Sequence, residues 1–277
     1  MAVSNFTYDG IPLTGFNRGE YILAFFDAET TPEEGKPEIQ RISQHMGMYQ
    51  PFVYQTHPDT LTFTMGIIKN PCVTDQYEIS AIEMEQLKKW LCRPTACKLK
   101  ISEKNSFEED WGNVINQYDN IFWEGTFTLT EEIQGGKRIG LILNFISTRP
   151  YGLQEDVIYS GTANSEDSIR IDDSSSEIGY IYPQMIIRCL EAGDLTIYNE
   201  INQRATIIEN CTQNETLIFS KDLQLTTDNI SHAIYNDFNY KFLRIENTFN
   251  NNMNIISFSL DCEYEISYNP VRKIIPI

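Results

Sequence analysis

The sequence predicts a mainly β protein made of two β-sandwich domains, the first of which carries one α-helix over about residues 80–92. Three observations support this fold class: apolar and polar residues alternate at period two in many short runs, turn residues separate these runs, and one segment has a clear helical pattern. One such run closes on Arg149-Pro150-Tyr151-Gly152. Proline fixes φ and glycine lets the chain turn, so we place the domains at 1–150 and 151–277.

The first half shows the strand pattern most clearly at 61–67 and 121–129. A third run, 139–146, follows the second across Gly135-Gly136. Because glycine tolerates the positive φ of tight turns, this spacing predicts a β-hairpin. The stretches 28–40 and 102–113 lack the alternation and predict long loops, which in a compact domain are commonly functional or disordered.

The helical segment has both a start signal and a buried face. Ser80 and Glu83 have the S-x-x-E spacing of a capping box. Met84, Leu87 and Leu91 share one side of the predicted helix. We therefore expect this helix to pack over a sheet of the first domain.

The second half contains short strand-like runs about ten residues apart, divided by Asn, Gly and Asp turns, which is typical of a β-sandwich. Pro183 lies near the start of one run and predicts an edge position, because proline cannot donate to a strand ladder. Ile169 and Ile171 predict an edge strand within an acidic stretch of low apolar density. The remaining runs are 180–189, 195–198, 205–208, 216–219, 242–245 and 254–268.

The formal net charge is −18 and the sequence pI is about 4.5. Phosphate backbones bind clusters of Lys and Arg, so this balance argues against a protein that grips DNA. The charge would also suit a protein that lets DNA pass, but from charge alone plain solubility is the preferred explanation. No apolar run approaches the roughly 20 residues that span a bilayer, and the N-terminus has no signal-peptide pattern. We expect no membrane insertion and a cytoplasmic site of synthesis.

Catalytic, cofactor-binding and metal-site motifs were not found in the sequence, so we expect no such residues, no cofactor and no enzyme activity. Cys92 and Cys97 form a C-x4-C pair without a second pair, which favours reduced, mostly buried thiols over zinc. The histidines, His45, His57 and His232, have no evident nucleophile partner. The acidic runs 108–110 and 172–173 predict solvated loops, with weak calcium binding as the alternative.

Several short motifs follow one another in a fixed order along the whole chain. They are FTYDG (6–10), FVYQ (52–55), LTFT (61–64), KWL (89–91), IFWEG (121–125), FISTRPYG (145–152), GYIYP (179–183) and YNPVR (268–272). In their order and spacing, the chain resembles the distal tail proteins of long-tailed bacteriophages that infect Gram-positive bacteria. It departs from that pattern in the acidic stretch 102–113 and in the Asn-rich stretch 247–254.

The resemblance implies that 1–150 is a tail-tube-like, ring-forming domain and that 151–277 is a galectin-like β-sandwich. It further implies a homo-hexameric ring that joins the tail tube protein to the tail-tip hub protein and that can carry receptor-binding or baseplate proteins. DNA would pass the lumen without specific binding. The protein would be located at the tail tip of the virion, and in the host cytoplasm during assembly.

A carbohydrate-binding module for adhesion to the host surface is the alternative interpretation. Sugars commonly stack on exposed tryptophan, but Trp90, Trp111 and Trp123 all lie in the first half. Tyr235 and Tyr240 are the residues of the second half that could substitute for them.

Overall fold

A computed structural model describes residues 3–28, 38–42, 52–56, 60–103, 120–165 and 167–273. Within these residues the chain forms two compact units, one that ends at Leu153 and also includes Lys273, and a second that spans Gln154–Arg272. Both consist mainly of antiparallel strands, which confirms the predicted fold class. That the first is tail-tube-like and the second galectin-like stays a prediction.

The first unit contains ten strands and one α-helix among its described residues. The strands are β1 (Val3–Tyr8), β2 (Ile11–Pro12), β3 (Tyr21–Ala28), β4 (Glu38–Ile42), β5 (Phe52–Thr56), β6 (Thr62–Lys69), β7 (Cys97–Glu103), β8 (Ile121–Gln134), β9 (Lys137–Ser147) and β10 (Gly152–Gln154). The helix is α1 (Ala81–Leu91), and a 3-10 segment spans Leu13–Gly19. The hairpin of β4 and β5 forms a separate two-stranded sheet.

One continuous antiparallel sheet, in the order β2-β1-β7-β8-β9-β6-β3, makes both layers of this unit, and β10 adds to β8. β1 and β3 contact each other although four strands separate them in the sheet. The sheet therefore rolls over its own core. The buried side chains inside it are aliphatic and aromatic, and the aromatic ones include Phe6, Tyr8, Phe63, Trp123 and Phe145.

The predicted helix and hairpin are both confirmed. Glu83 N donates to Ser80 Oγ at 3.3 Å and Ser80 N donates to Glu83 Oε2 at 2.6 Å, so the capping box is complete. Met84, Leu87, Trp90 and Leu91 are buried. At the hairpin, Gly135 and Gly136 have φ of 59° and 78°, the conformation that requires glycine.

The opening aromatic motif has a clear physical basis. Phe6 and Tyr8 alternate into the core along β1, and Asp9 and Gly10, with φ of 52° and 74°, turn the chain into β2. The Tyr8 hydroxyl donates to the Gly125 carbonyl at 3.1 Å and thereby ties β1 to β8. These residues close one end of the rolled sheet.

The two loop predictions are wrong at their ends. Ala28 belongs to β3, Glu38 and Gln40 belong to β4, and Ser102 belongs to β7. The rest of each stretch, 29–37 and 104–113, lies outside the described residues.

Gly152 has a different role from the turn that we predicted. Its φ lies outside the left-handed region, and a Cβ at this position would lie 2.9 Å from Ile121 Cγ2 and 3.0 Å from Trp123 Nε1. Glycine is needed here because the backbone passes directly over the Trp123 ring.

The second unit contains twelve strands and one short helix among its described residues. The strands are β11 (Val157–Ala163), β12 (Ser168–Asp172), β13 (Gly179–Ile181), β14 (Gln184–Cys189), β15 (Gly193–Asn199), β16 (Arg204–Cys211), β17 (Thr216–Phe219), β18 (Leu225–Thr227), β19 (Ile245–Asn247), β20 (Met253–Phe258), β21 (Cys262–Tyr268) and β22 (Val271–Arg272). The helix, α2 (Ile234–Asp237), was not predicted.

Two sheets enclose the core of this unit, β11-β21-β14-β17-β18 and β12-β20-β15-β16, and β13 with β19 forms a small third sheet. Ile169 and Ile171 lie on the edge strand β12, as predicted. The edge position predicted for Pro183 is wrong: Pro183 falls between β13 and β14, and β14 is an interior strand. Of the predicted run 242–245, only Ile245 is in a strand.

We expect Gly125→Ala to destabilise the first unit by about 2–3 kcal/mol. A Cβ there would lie 2.3 Å from the Ile146 carbonyl oxygen and 2.5 Å from Phe145 Cζ, and the backbone atom cannot swing aside. Gly161→Ala is the control, since its Cβ would meet only the tip of Tyr264 at 3.0 Å. Urea unfolding measures both variants, and equal stabilities would contradict the close-approach explanation.

Candidate functional site

A buried ionisable cluster lies beneath helix α2 in the second unit. His232 Nδ1 is 2.5 Å from Glu215 Oε1, and both side chains are almost completely buried. His232 Nε2 lies 3.2 Å from Asp237 Oδ2 without hydrogen-bond geometry, so this nitrogen is a buried polar atom without a hydrogen-bond partner among the described residues. The cluster fastens α2 to the loop that precedes β17.

Glu215 is the best-satisfied member of this cluster. Thr212 N, Thr212 Oγ1 and Thr227 Oγ1 donate to its carboxylate at 2.8, 3.0 and 2.6 Å. Burial opposes the charge of Glu215, but these bonds and His232 outweigh it and lower the pKa of Glu215 to about 2. Burial also opposes protonation of His232, but Glu215 outweighs it and raises the pKa of His232 above its usual 6.5.

Two exposed tyrosine rings lie next to this cluster. Tyr235, on α2, is 59% exposed and Tyr240 is 64% exposed. The Tyr240 hydroxyl donates to the Tyr235 carbonyl at 2.8 Å, and Tyr240 has φ of 57°, which is rare for an aromatic residue. These are the residues that the carbohydrate-binding interpretation singled out, and the structure brings them together on the surface.

An arginine links two further tyrosines near β13. The Arg244 guanidinium lies 3.9 Å from the centroid of the Tyr180 ring and donates to the Tyr182 hydroxyl at 3.1 and 2.9 Å. Stacking and hydrogen bonding together fix this side chain, as expected for arginine on an aromatic face. The GYIYP motif thus forms a small cationic and aromatic surface.

The Asn-rich stretch 247–254 is held by its own amides. Asn254 is fully buried, and its Oδ1 accepts from Glu246 N and Asn199 Nδ2, each at 2.8 Å. Its Nδ2 donates to the carbonyls of Glu246 and Asn252 at 2.9 and 3.1 Å. All four hydrogen-bonding positions of the amide are therefore used.

The acidic pair 172–173 is not a solvated loop, contrary to our prediction. Asp172 ends β12, and Asp173 is buried, where it accepts from Ser175 Oγ at 2.8 Å. Among the described residues, no group of three or more His, Cys, Asp or Glu side chains could hold a metal ion. The other acidic run, 108–110, lies outside the described residues.

The remaining sequence candidates are dispersed. Cys92 is exposed and Cys97 half-buried, so only half of the six thiols, Cys189, Cys211 and Cys262, are buried as expected. Burial raises the pKa of Cys262 to about 12. Trp90 and Trp123 are core residues, whereas Trp111, His45 and His57 lie outside the described residues. Among the described residues no helix is both long and apolar enough to span a membrane.

The comparisons with known proteins decide the family. One family model, described as a phage tail protein N-terminal domain, matches residues 1–149, and a second, described as a phage tail C-terminal domain, matches residues 151–268. The chain belongs to this phage tail protein family. No curated protein sequence matches it.

The fold of this phage tail protein is similar to that of a solved phage structure. The match is to "Crystal Structure of SPP1 Dit (gp 19.1) Protein, a Paradigm of Hub Adsorption Apparatus in Gram-positive Infecting Phages". The TM-score is 0.62 at 11% identity, over 96% of this chain and 99% of the SPP1 chain. The resemblance to distal tail proteins that the motifs indicated is confirmed at the level of family and fold.

Sequence reasoning missed the buried cluster of the tail protein. Glu215 and His232 are 17 residues apart and belong to different loops, so no spacing rule joins them. Their contact depends on how β17, β18 and α2 pack. The Asn-rich stretch 247–254 does stand out in the sequence, but its composition does not reveal the hydrogen bonds that its amides make.

We expect Glu215→Gln to destabilise the tail protein by about 3 kcal/mol near pH 5.5, because it leaves His232 buried without its partner. The folded-state pKa of Glu215 is lowered from 4.5, so its contribution is present above pH 4.5 and lost as the pH falls towards 2. The pKa of His232 is raised from 6.5, so its contribution is present below pH 6.5 and lost as the pH rises through the raised value. The difference from wild type should therefore be largest between pH 4.5 and 6.5.

Urea unfolding as a function of pH measures this difference. Asp156→Asn is the control, since it removes an exposed ion pair to Lys221 and should change stability little at any pH. A Glu215→Gln difference that does not vary with pH would show that the pair is not charged in the native state.

Proposed function

We propose that this phage tail protein is the subunit of a hexameric ring at the distal end of the tail, which joins the tail tube protein to the tail-tip hub protein. The observation that carries this proposal is the correspondence of both units, over 96% of the chain, with a phage protein described as a hub of an adsorption apparatus. The role is structural, and no bond is made or broken by it.

The open edge of the first unit supports contact between copies. β3 is eight residues long and ends the sheet, so among the described strands it pairs with β6 alone. Phe25, exposed on this strand, lies over Gly66, where any side chain would collide with its ring. A free strand edge is a ready template for another chain, and a head-to-tail contact that closes by rotation gives a ring.

The second domain would then carry receptor-binding or baseplate proteins, and the ring would belong to the virion tail tip after assembly in the host cytoplasm. Six copies would bring six times the formal charge of −18 to the ring. A lumen lined by part of that charge would repel the phosphate backbone, so DNA would slide through without being held.

We expect the full-length protein, mixed with the tail tube protein, to form rings of six copies with a central hole. Phe25→Lys should lower the fraction of rings, because a charge on an open edge disfavours strand pairing. Ile82→Lys, on the exposed side of α1, should leave rings intact. Native mass spectrometry and negative-stain images measure the number of copies in each ring and the fraction of the protein in rings. A ring of another symmetry, or no ring with the tube protein, would refute the proposal.

Carbohydrate binding is the second candidate, and the paired exposure of Tyr235 and Tyr240 favours it. We expect Tyr235→Ala and Tyr240→Ala each to weaken binding of any cell-wall glycan about tenfold, the loss of one aromatic contact. Tyr77→Ala, at an exposed tyrosine of the first unit, is the control. A glycan array with the full-length protein tests this; no reproducible binding would remove the candidate.

A further inference from the structure

The Asn-rich stretch presents one aromatic side chain at its tip. Phe249 is 87% exposed. It lies in a tight turn in which Thr248 N donates to the Asn251 carbonyl at 2.9 Å and Asn251 N donates back to Thr248 at 3.3 Å. An exposed ring at the tip of a closed turn gains almost nothing from its own domain.

Side-chain hydrogen bonds fix this turn from both sides. Thr248 Oγ1 donates to the Asn251 carbonyl at 2.8 Å, and Met253 N donates to Asn251 Oδ1 at 2.9 Å. Asn252 Nδ2 donates to the Asp173 carbonyl at 2.9 Å, beside the buried Asn254 network. Phe249 therefore extends from a support that is already ordered before any partner binds.

Further exposed apolar residues continue the surface along the neighbouring strand. Gly179 pairs with Asn247 and Tyr180 pairs with Glu246, so Ile178 lies at the end of the ladder where the Phe249 turn begins. Ile178 and Tyr180 are both exposed. We call Ile178, Tyr180 and Phe249 the Phe249 surface.

We propose that the Phe249 surface docks another protein of the phage tail, which provides an apolar pocket with a basic rim. Pre-ordered aromatic side chains that enter a pocket are typical anchors of protein interfaces. This inference uses the membership of the tail protein family and does not need the ring.

The shape of the surface excludes a small ligand. Sites for small molecules are concave and enclose most of the ligand, whereas Phe249 is the tip of a convex turn. The pocket must therefore belong to the partner, which makes the partner a macromolecule.

The charge around the surface selects the kind of partner. Glu246 pairs with Tyr180 in the ladder of β13 and β19, Glu177 precedes Ile178 in the chain, and the Arg244 guanidinium lies over the Tyr180 ring. From residue 154 onward, the chain has nineteen acidic and eight basic side chains. Nucleic acid and anionic lipid would be repelled, and a second copy of this domain would bring like charges together. A protein surface with Lys and Arg around its pocket is complementary.

The test titrates the full-length protein against each of the other structural tail proteins of the same phage, purified one at a time. We expect at least one to bind, and Phe249→Ala to raise its Kd about thirtyfold, as for an interface anchor. Ile230→Ala, at another fully exposed apolar residue of the same unit, should leave that Kd unchanged. Raising the salt concentration should weaken wild-type binding, because the rim contacts are ionic.

Thermal unfolding checks that Phe249→Ala folds like the wild type, which the exposure of the ring predicts. The proposal is overturned if no tail protein binds the wild type, or if every tail protein that binds it binds Phe249→Ala equally well. Ring formation with the tube protein is measured in a separate experiment, in which Phe249→Ala should still form rings. A wild-type protein that forms no rings would refute the proposed function. The titration would still decide the inference about the Phe249 surface.

Discussion

The first unit depends on the packing of Trp90. Its ring stacks on Phe16 with centroids 4.4 Å apart and lies parallel to Phe6 at 5.9 Å. Its Nε1 donates to the Tyr8 carbonyl at 3.1 Å. One side chain thus joins α1, the 3-10 segment and β1, and removing it would leave aromatic surface and a backbone carbonyl without their partner. The helix is therefore part of the core of the rolled sheet and not an appendage to it.

In the second unit, buried polar groups, and not an aromatic ring, join separate segments of the chain. Asn254 and Glu215 are buried, and the hydrogen-bond partners of each come from strand ends as well as from the loops beside them. Burying an amide or a carboxylate is costly unless its bonds are made, so these groups allow one arrangement of the loops and penalise others. The sandwich supplies the scaffold, and the buried polar groups select the loop conformations that the surface displays.

The difference between contacts within a few residues and contacts between distant segments explains how much of the structure the sequence could predict. The capping box at Ser80 and the Gly135-Gly136 turn depend on residues within a few positions of one another, and both are confirmed. The fold class follows from strand periodicity, which is also local. The contact of Glu215 with His232 and the close approach over Gly152 arise from packing between distant segments, and residue type alone carries no signal for them. The Asn-rich stretch runs from the end of β19 into β20, and its rigidity lies in amide bonds that composition does not reveal.

The acidity of the tail protein and its exposed aromatic residues have to be considered together. At physiological salt, charges more than about 8 Å apart are largely screened, so repulsion between copies acts mainly at short range. A contact between two protein surfaces then requires apolar or backbone groups that meet a surface without nearby like charges. Phe25, on the strand that ends the sheet among the described strands, and Phe249, on a fixed turn, are such groups, one in each unit. In the proposed ring, the excess of carboxylates would keep free subunits apart, and the exposed rings would determine where assembly begins.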